Sequence, residues 1–196
     1  MGRRSDHTRP ELKALFTEAG RRQLAETGLA AFSARDVAKQ VGYSIGTLYN
    51  VFGSYDGLVL EINARTLTLW AEDLRARLAA ARGDRIEALV RGYFAFAAEQ
   101  PKAWIGVYEH HMADGGPAPD WYQAIVGELM QIAAAEVARA LPAASPAKVE
   151  ALTRSLLATV HGHCVFSIYR TFDMLGETAP ADAALARVRE ALAAAG

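Results

Sequence analysis

Gly46, Thr47, Tyr49 and Asn50 place hydroxyl and amide groups, and one position bare of side chain, within two turns of helix. Such groups suit hydrogen bonds to phosphate oxygens and base edges, and a bare backbone lets a duplex approach closely. The same stretch carries Leu48 and Phe52, four apart, which turn its other side toward a core. Ser44 precedes it as a cap residue. Residues 33–41 read as a shorter helix. Ser33 caps it, Asp36 closes a capping box, and Val37, Ala38 and Val41 form one apolar face. Gly42 stands where a tight turn needs positive φ. Two short helices around such a turn, the second polar on its outer side, form a helix-turn-helix with its second helix shaped for a DNA groove.

Other chemistry is thinly represented. His161 and Cys164 are three apart, and His110 and Asp114 four apart, so either pair shares a helical face and could hold a metal. No acid/base pair, nucleophile elbow or phosphate loop accompanies them, so neither an enzyme nor a cofactor or metal is expected. The single cysteine, Cys164, excludes an internal disulfide and fits a reducing cytoplasm. No apolar run approaches a membrane span, and the basic start of the chain has no apolar stretch behind it, so neither membrane association nor secretion is expected.

Net charge is −1, but its distribution is uneven. Residues 1–53 carry eight basic and five acidic side chains, against thirteen and seventeen in the remainder. A basic head on an acidic body suits a chain whose first part meets phosphates.

The rest of the chain reads as all-α, about nine helices and no strands. Helix four runs from about Tyr55 to Ala81, helix five from Arg85 to Glu99, helix six from Lys102 to Met112 and helix seven from Asp120 to Leu141. Helix eight opens at Ser145-Pro146 and shows Val149, Leu152, Leu156, Val160, Cys164, Ile168 and Phe172 at spacings of three and four. That predicts about thirty residues, or about 45 Å. Helix nine shows Leu185, Val188 and Leu192. Leu152, Leu156, Val160, Ile168, Leu185, Val188 and Leu192 are the expected homodimer interface, because this stripe exceeds the need of one small domain.

Residues from Pro10 to about Leu60 resemble the DNA-binding domain of the TetR family of bacterial transcriptional regulators. The likeness rests on Phe16, Ala19, Leu24 and Gly28, then Arg35-Asp36-Val37-Ala38, Val41-Gly42-Tyr43-Ser44, Gly46-Thr47-Leu48-Tyr49, Phe52, Ser54 and Leu58. The resemblance implies a DNA-binding domain over 10–70 with its motif at 33–52, and an effector-binding and dimerisation domain over 82–196. It implies DNA contacts from Lys13, Ser33, Arg35, Ser44, Ile45, Gly46, Thr47, Tyr49, Asn50 and Tyr55. Ile45 either touches a thymine methyl or turns inward with Leu48 and Phe52. Lys13, Val51 and Tyr55 depart from the family's usual residues, with Tyr55 replacing a lysine. Arg3, Arg4 and Arg9 either form an arm that compensates by entering a minor groove or belong to a disordered tail without function.

The resemblance further implies a homodimer on double-stranded DNA with a palindromic operator, and a repressor released by a small apolar or aromatic effector. Tyr93, Trp104, Tyr108, His111, Trp121 and Phe166 are the expected effector residues, with coupling through Trp70 and Leu74 of helix four. Val160-His161-Gly162-His163-Cys164 resembles a motif of one C-terminal subgroup of the family. An effector-independent regulator or an activator stays open as an alternative, and a metal-binding helical enzyme as a remoter one.

Overall fold

The structure, a computed structural model, describes residues 7–113 and 115–196. Among them are ten α-helices, one 3-10 turn and no strand. They are α1 (Arg9–Thr27), the 3-10 turn (Leu29–Ala31), α2 (Ala34–Val41), α3 (Ile45–Phe52), α4 (Tyr55–Ala80) and α5 (Arg85–Glu99). There follow α6 (Pro101–Glu109), α7 (Asp120–Ala140), α8 (Pro146–Ile168), α9 (Thr171–Leu175) and α10 (Pro180–Ala195). No helix is long and apolar enough to cross a membrane among the described residues.

The chain forms two compact units. The first holds the described residues up to Thr68 together with Lys102–Gln123; the second holds Leu69–Pro101 and Ala124–Gly196. Packing therefore does not divide the chain into one head segment and one body segment, because α6 belongs with the first unit.

The first unit closes around Phe16, Leu24, Val37, Leu48, Leu58 and Ile62, all without solvent contact. α1 begins in a capping box: the Thr8 backbone N–H donates to Glu11 Oε2, with Pro10 in the first turn. The box expected on α2 forms only in half. Ser33 Oγ accepts from the Asp36 N–H at 3.2 Å, but the Ser33 N–H donates to Gln23 Oε1 on α1. A long-range partner thus takes the role that Asp36 was expected to fill. α6 is held by Asn63 Nδ2, which donates to the Gly106 carbonyl at 3.1 Å. It is also held by Lys102, whose ammonium donates to the Glu26 carbonyl.

The second unit is centred on Trp70, which stacks on Phe96 (centroids 5.5 Å, planes 9° apart) and meets Tyr93 edge-on at 4.8 Å. Trp70 and Leu74 are both buried there. Arg85 donates to both oxygens of the buried Glu136 at 2.7 and 2.8 Å, and to the Leu78 carbonyl at 2.8 Å. The guanidinium holds the Glu136 carboxyl below the usual carboxylate range. α10 lies along α8, burying Leu156, Val160 and Cys164 with Leu185, Val188 and Leu192.

α8 is shorter than its apolar period predicts. It spans 23 residues, about 34 Å, and stops at Ile168. Arg170 then takes φ +58°, the only positive φ outside glycine among the described residues. The chain turns there into α9, and Phe172 folds back onto Phe166 and His163, at 5.5 and 5.8 Å between centroids. Periodicity alone does not register this reversal, because Phe172 keeps the spacing while leaving the helix.

A close approach fixes the junction of α3 and α4. A Cβ placed on Gly57 would lie 2.3 Å from the Phe52 carbonyl oxygen, a backbone atom with no freedom to rotate away. We expect Gly57→Ala to destabilise the protein by about 1–3 kcal/mol in urea unfolding. An unchanged midpoint would show that the junction can yield.

Candidate nucleic-acid interface and ligand cavity

The turn between α2 and α3 is built from local hydrogen bonds. Gly42 takes φ +84° in the left-handed region; its N–H donates to Lys39 O at 3.1 Å, and the Tyr43 N–H to Ala38 O at 2.9 Å. This pair is a Schellman motif, which satisfies the last carbonyls of α2. Ser44 Oγ then accepts from the Thr47 N–H at 3.1 Å and lies 3.0 Å from Thr47 Oγ1. Ser44 and Thr47 therefore cap α3 as well as facing its N-terminal end.

Leu48 is fully buried and orients α3. Ile45, Val51 and Phe52 pack partly buried against the same core, so Ile45 turns inward. Gly46 and Asn50 are exposed, Tyr49 is 39% exposed, and Thr47 is half-buried. Arg35 and Lys39 on α2 are exposed, and Ser33 is half-buried at its cap. Arg9 is exposed and donates to the Val51 carbonyl at 3.4 Å; Arg3 and Arg4 lie outside the described residues. Lys13 is paired with Glu61. Tyr55 is partly exposed beside Phe32, and burial first, then Asp56, push its hydroxyl's pKa up. It supplies a neutral hydrogen-bonding group where a cation was the family expectation.

The six expected effector residues do not converge on one site. Trp104 is fully buried in the first unit, where its ring meets Tyr108 at 5.1 Å. Trp121 and Phe166 are exposed. Tyr93 is buried in the second unit, its hydroxyl 2.9 Å from His161 Nδ1. Only His111 borders a cavity formed within the first unit. This cavity, about 230 Å³, is walled by Leu60, Val107, His110, His111, Met112 and Tyr122 with the Gly115-Gly116 backbone and Ala118. Burial first, then Tyr108, push the Tyr122 hydroxyl up to about 12. Burial also pushes the His110 imidazole below its ordinary value, although Asp56 opposes this. The sequence alone offered His110 only a metal role, paired with Asp114, and gave Tyr122 none.

The expected interface residues are mostly occupied within one chain. Leu156, Val160, Leu185, Val188 and Leu192 are buried between α8 and its neighbours, while Leu152 and Ile168 are half-buried. Phe166, Tyr169, Met174 and Leu175 are instead exposed, Met174 by 82%. No group of three or more histidine, cysteine or acidic side chains that could hold a metal occurs among the described residues. Asp114 lies outside them.

An all-α chain that presents a capped helix-turn-helix with a polar outer face defines the class of helix-turn-helix proteins. Residues 16–62 match the bacterial regulatory proteins of the tetR family, and residues 86–192 match the tetracyclin repressor-like C-terminal domain. The chain belongs to the TetR family. It is 29% identical over 126 residues to the HTH-type transcriptional regulator Rv1816 of Mycobacterium tuberculosis, a match covering 62% of this chain and 51% of that protein. The chain thus spans about half the length of the curated relatives it first matches. In fold it resembles a protein of unknown function from Rhodococcus sp. RHA1, with TM-score 0.75, 17% identity and 98% of each chain covered. It also resembles the multidrug binding protein EbrR complexed with imidazole, with TM-score 0.64, 18% identity, and 93% of this chain and 95% of that one covered.

The histidines carry a pH dependence. Burial holds His161 and His110 below the ordinary 6.5, so in the folded state they stay neutral where an unfolded chain takes up protons. Their contribution is complete above about pH 6.5 and is lost as pH falls through their folded values. Carboxylates held low by arginines, such as Glu136, act only below their own ordinary 4.5. We expect a lower melting temperature at about pH 5.5 than at about pH 7.5, and a smaller difference in His161→Gln. Equal differences in the two proteins would remove His161 from this account.

Proposed function

We propose that the chain is a transcriptional repressor that binds a palindromic operator as a homodimer and is released by a small molecule. The exposed face of α3 carries the DNA-binding reading. Its N-terminal end and the Tyr49, Thr47 and Asn50 side chains meet phosphates and base edges, while Arg35 and Lys39 add charge toward the backbone. Occupying an operator excludes other proteins from the same DNA, which makes repression the simplest consequence. The small-molecule part is supported by the cavity in the first unit and by the likeness to EbrR, whose structure holds imidazole.

Operator-like duplexes selected from a random library by the wild-type protein provide the assay. Tyr49→Phe and Thr47→Ala should each weaken binding by about 1–2 kcal/mol in fluorescence anisotropy. Tyr49→Phe should leave the melting temperature unchanged, whereas Thr47→Ala also removes part of the α3 cap. Full-strength binding by both variants would remove this docking mode.

The dimer uses the open side of α8. Ala147, Ala151, Ser155 and Ala158 are exposed along one side, and nothing lies within 4 Å of where a Cβ on Gly162 would be. Phe166, Tyr169 and the α9 side chains extend this side with exposed apolar surface. Small residues let a second helix approach closely, and the rings beyond them supply area to bury. Phe166→Glu should yield folded monomers in light scattering at micromolar concentration. Leu156→Glu should instead disrupt the fold, because Leu156 is only 7% exposed within one chain. A Phe166→Glu dimer as tight as wild type would place the interface elsewhere.

A further inference from the structure

His110 is an under-satisfied group beside a half-open cavity. Its side chain is 7% exposed, just beyond the end of α6. Nε2 is buried and has no hydrogen-bond partner. Asp56 Oδ1 lies 3.6 Å from it, too long for a hydrogen bond but close enough for strong attraction, and Asp56 Oδ2 accepts from the Ala113 N–H at 3.1 Å. A buried polar atom left in this way costs free energy and calls for an explanation. The same ring borders the cavity, whose other named walls are Leu60, Val107, Met112, His111 and Tyr122. His111 is itself anchored, its Nδ1 lying 2.9 Å from the Glu109 carbonyl oxygen that accepts from it.

We propose that this cavity binds a neutral single-ring molecule carrying one hydrogen-bond donor, such as a phenol, with the His110 imidazole as acceptor and Asp56 fixing its tautomer. This inference rests on the ligand-responsive reading above and names the ligand class. Size sets the first limit. A cavity of about 150 Å³ accommodates benzene, and pockets for drug-sized ligands begin near 300 Å³. The 230 Å³ here suits one ring with a few further atoms. Charge sets the second. Among the described residues no lysine or arginine lines the cavity, and the Asp56 carboxylate stands beside His110, so an anionic ligand finds no counter-charge there. Polarity sets the third. The carboxylate draws the imidazole proton to Nε2, which leaves Nδ1 as the acceptor. A ligand hydroxyl donating to Nδ1 lets Nε2–H tighten onto Asp56, satisfying two groups at once.

The test uses the 196-residue chain free of DNA, with phenol, anisole and benzoate as probes. Phenol should bind saturably in calorimetry and shift the His110 ring nitrogen signals in NMR. Anisole, which has the ring without the donor, should bind at least tenfold more weakly, and benzoate not detectably. His110→Leu should weaken phenol at least tenfold, and His110→Gln, which restores an acceptor, should recover part of that loss. Equal binding of phenol and anisole, preference for benzoate, or a His110 ring unmoved by saturating phenol would overturn the proposal, the last without needing any variant to fold. Operator binding is measured separately. A wild type that takes up phenol yet binds no selected DNA would overturn the regulator reading and leave this site standing. Intact DNA binding without phenol uptake would do the reverse.

Discussion

One buried side chain decides which side of α3 faces outward. Leu48 has no solvent contact, and it draws Ile45, Val51 and Phe52 toward the same core. With 3.6 residues per turn, fixing Leu48 inside leaves Gly46, Tyr49 and Asn50 outside. The left-handed Gly42 delivers the chain to that position, and Ser44 starts the helix there. The polar face therefore owes its presentation to apolar packing on the opposite side. The exposed hydroxyls need no support beyond a cap and a filled core.

Local features of this arrangement were legible in the sequence. Ser33, Gly42 and Ser44 occupy the cap and turn positions that their side chains and backbone freedom predict. α5 has the predicted limits: Asp84 caps its start, and Gln100 leaves the helical conformation at its end. Where local rules failed, a distant residue had intervened. Gln23 took the donor that Asp36 was expected to hold, and Glu61 took the charge of Lys13. Neither partner is signalled by spacing along the chain.

The second unit teaches the same lesson on a larger scale. An apolar stripe on α8 identifies a buried side, but not what buries it. Here Leu156, Val160 and Cys164 are buried within the same chain, where both α10 and α5 pack on α8. The surface left open is marked by small residues and by rings beyond the turn at Arg170, which hydrophobic periodicity does not find. The cavity was obscure for a related reason. Its walls come from α4, the end of α6, the following loop and the start of α7, so no single segment carries its pattern. Of the six side chains expected to line a ligand site, only His111 borders it.

Charge in the second unit is organised across elements rather than along them. Arg189 of α10 donates to Asp84 at the start of α5 and to Glu87, while Arg91 joins Glu87 to Asp182 at the head of α10. Such exposed pairs add little each, but together they fix the register of two helices whose alanine-rich surfaces offer few shaped contacts. Cys164 of the same unit is only 1% exposed, its thiol pushed up to about 12 by burial. Near neutral pH this sulfur is almost never a thiolate, and a reagent in solution has no path to it. Alkylation can proceed only when the helices around it part, so the rate of thiol labelling becomes a clock for local opening of the second unit, with one native reporter and no engineered probe.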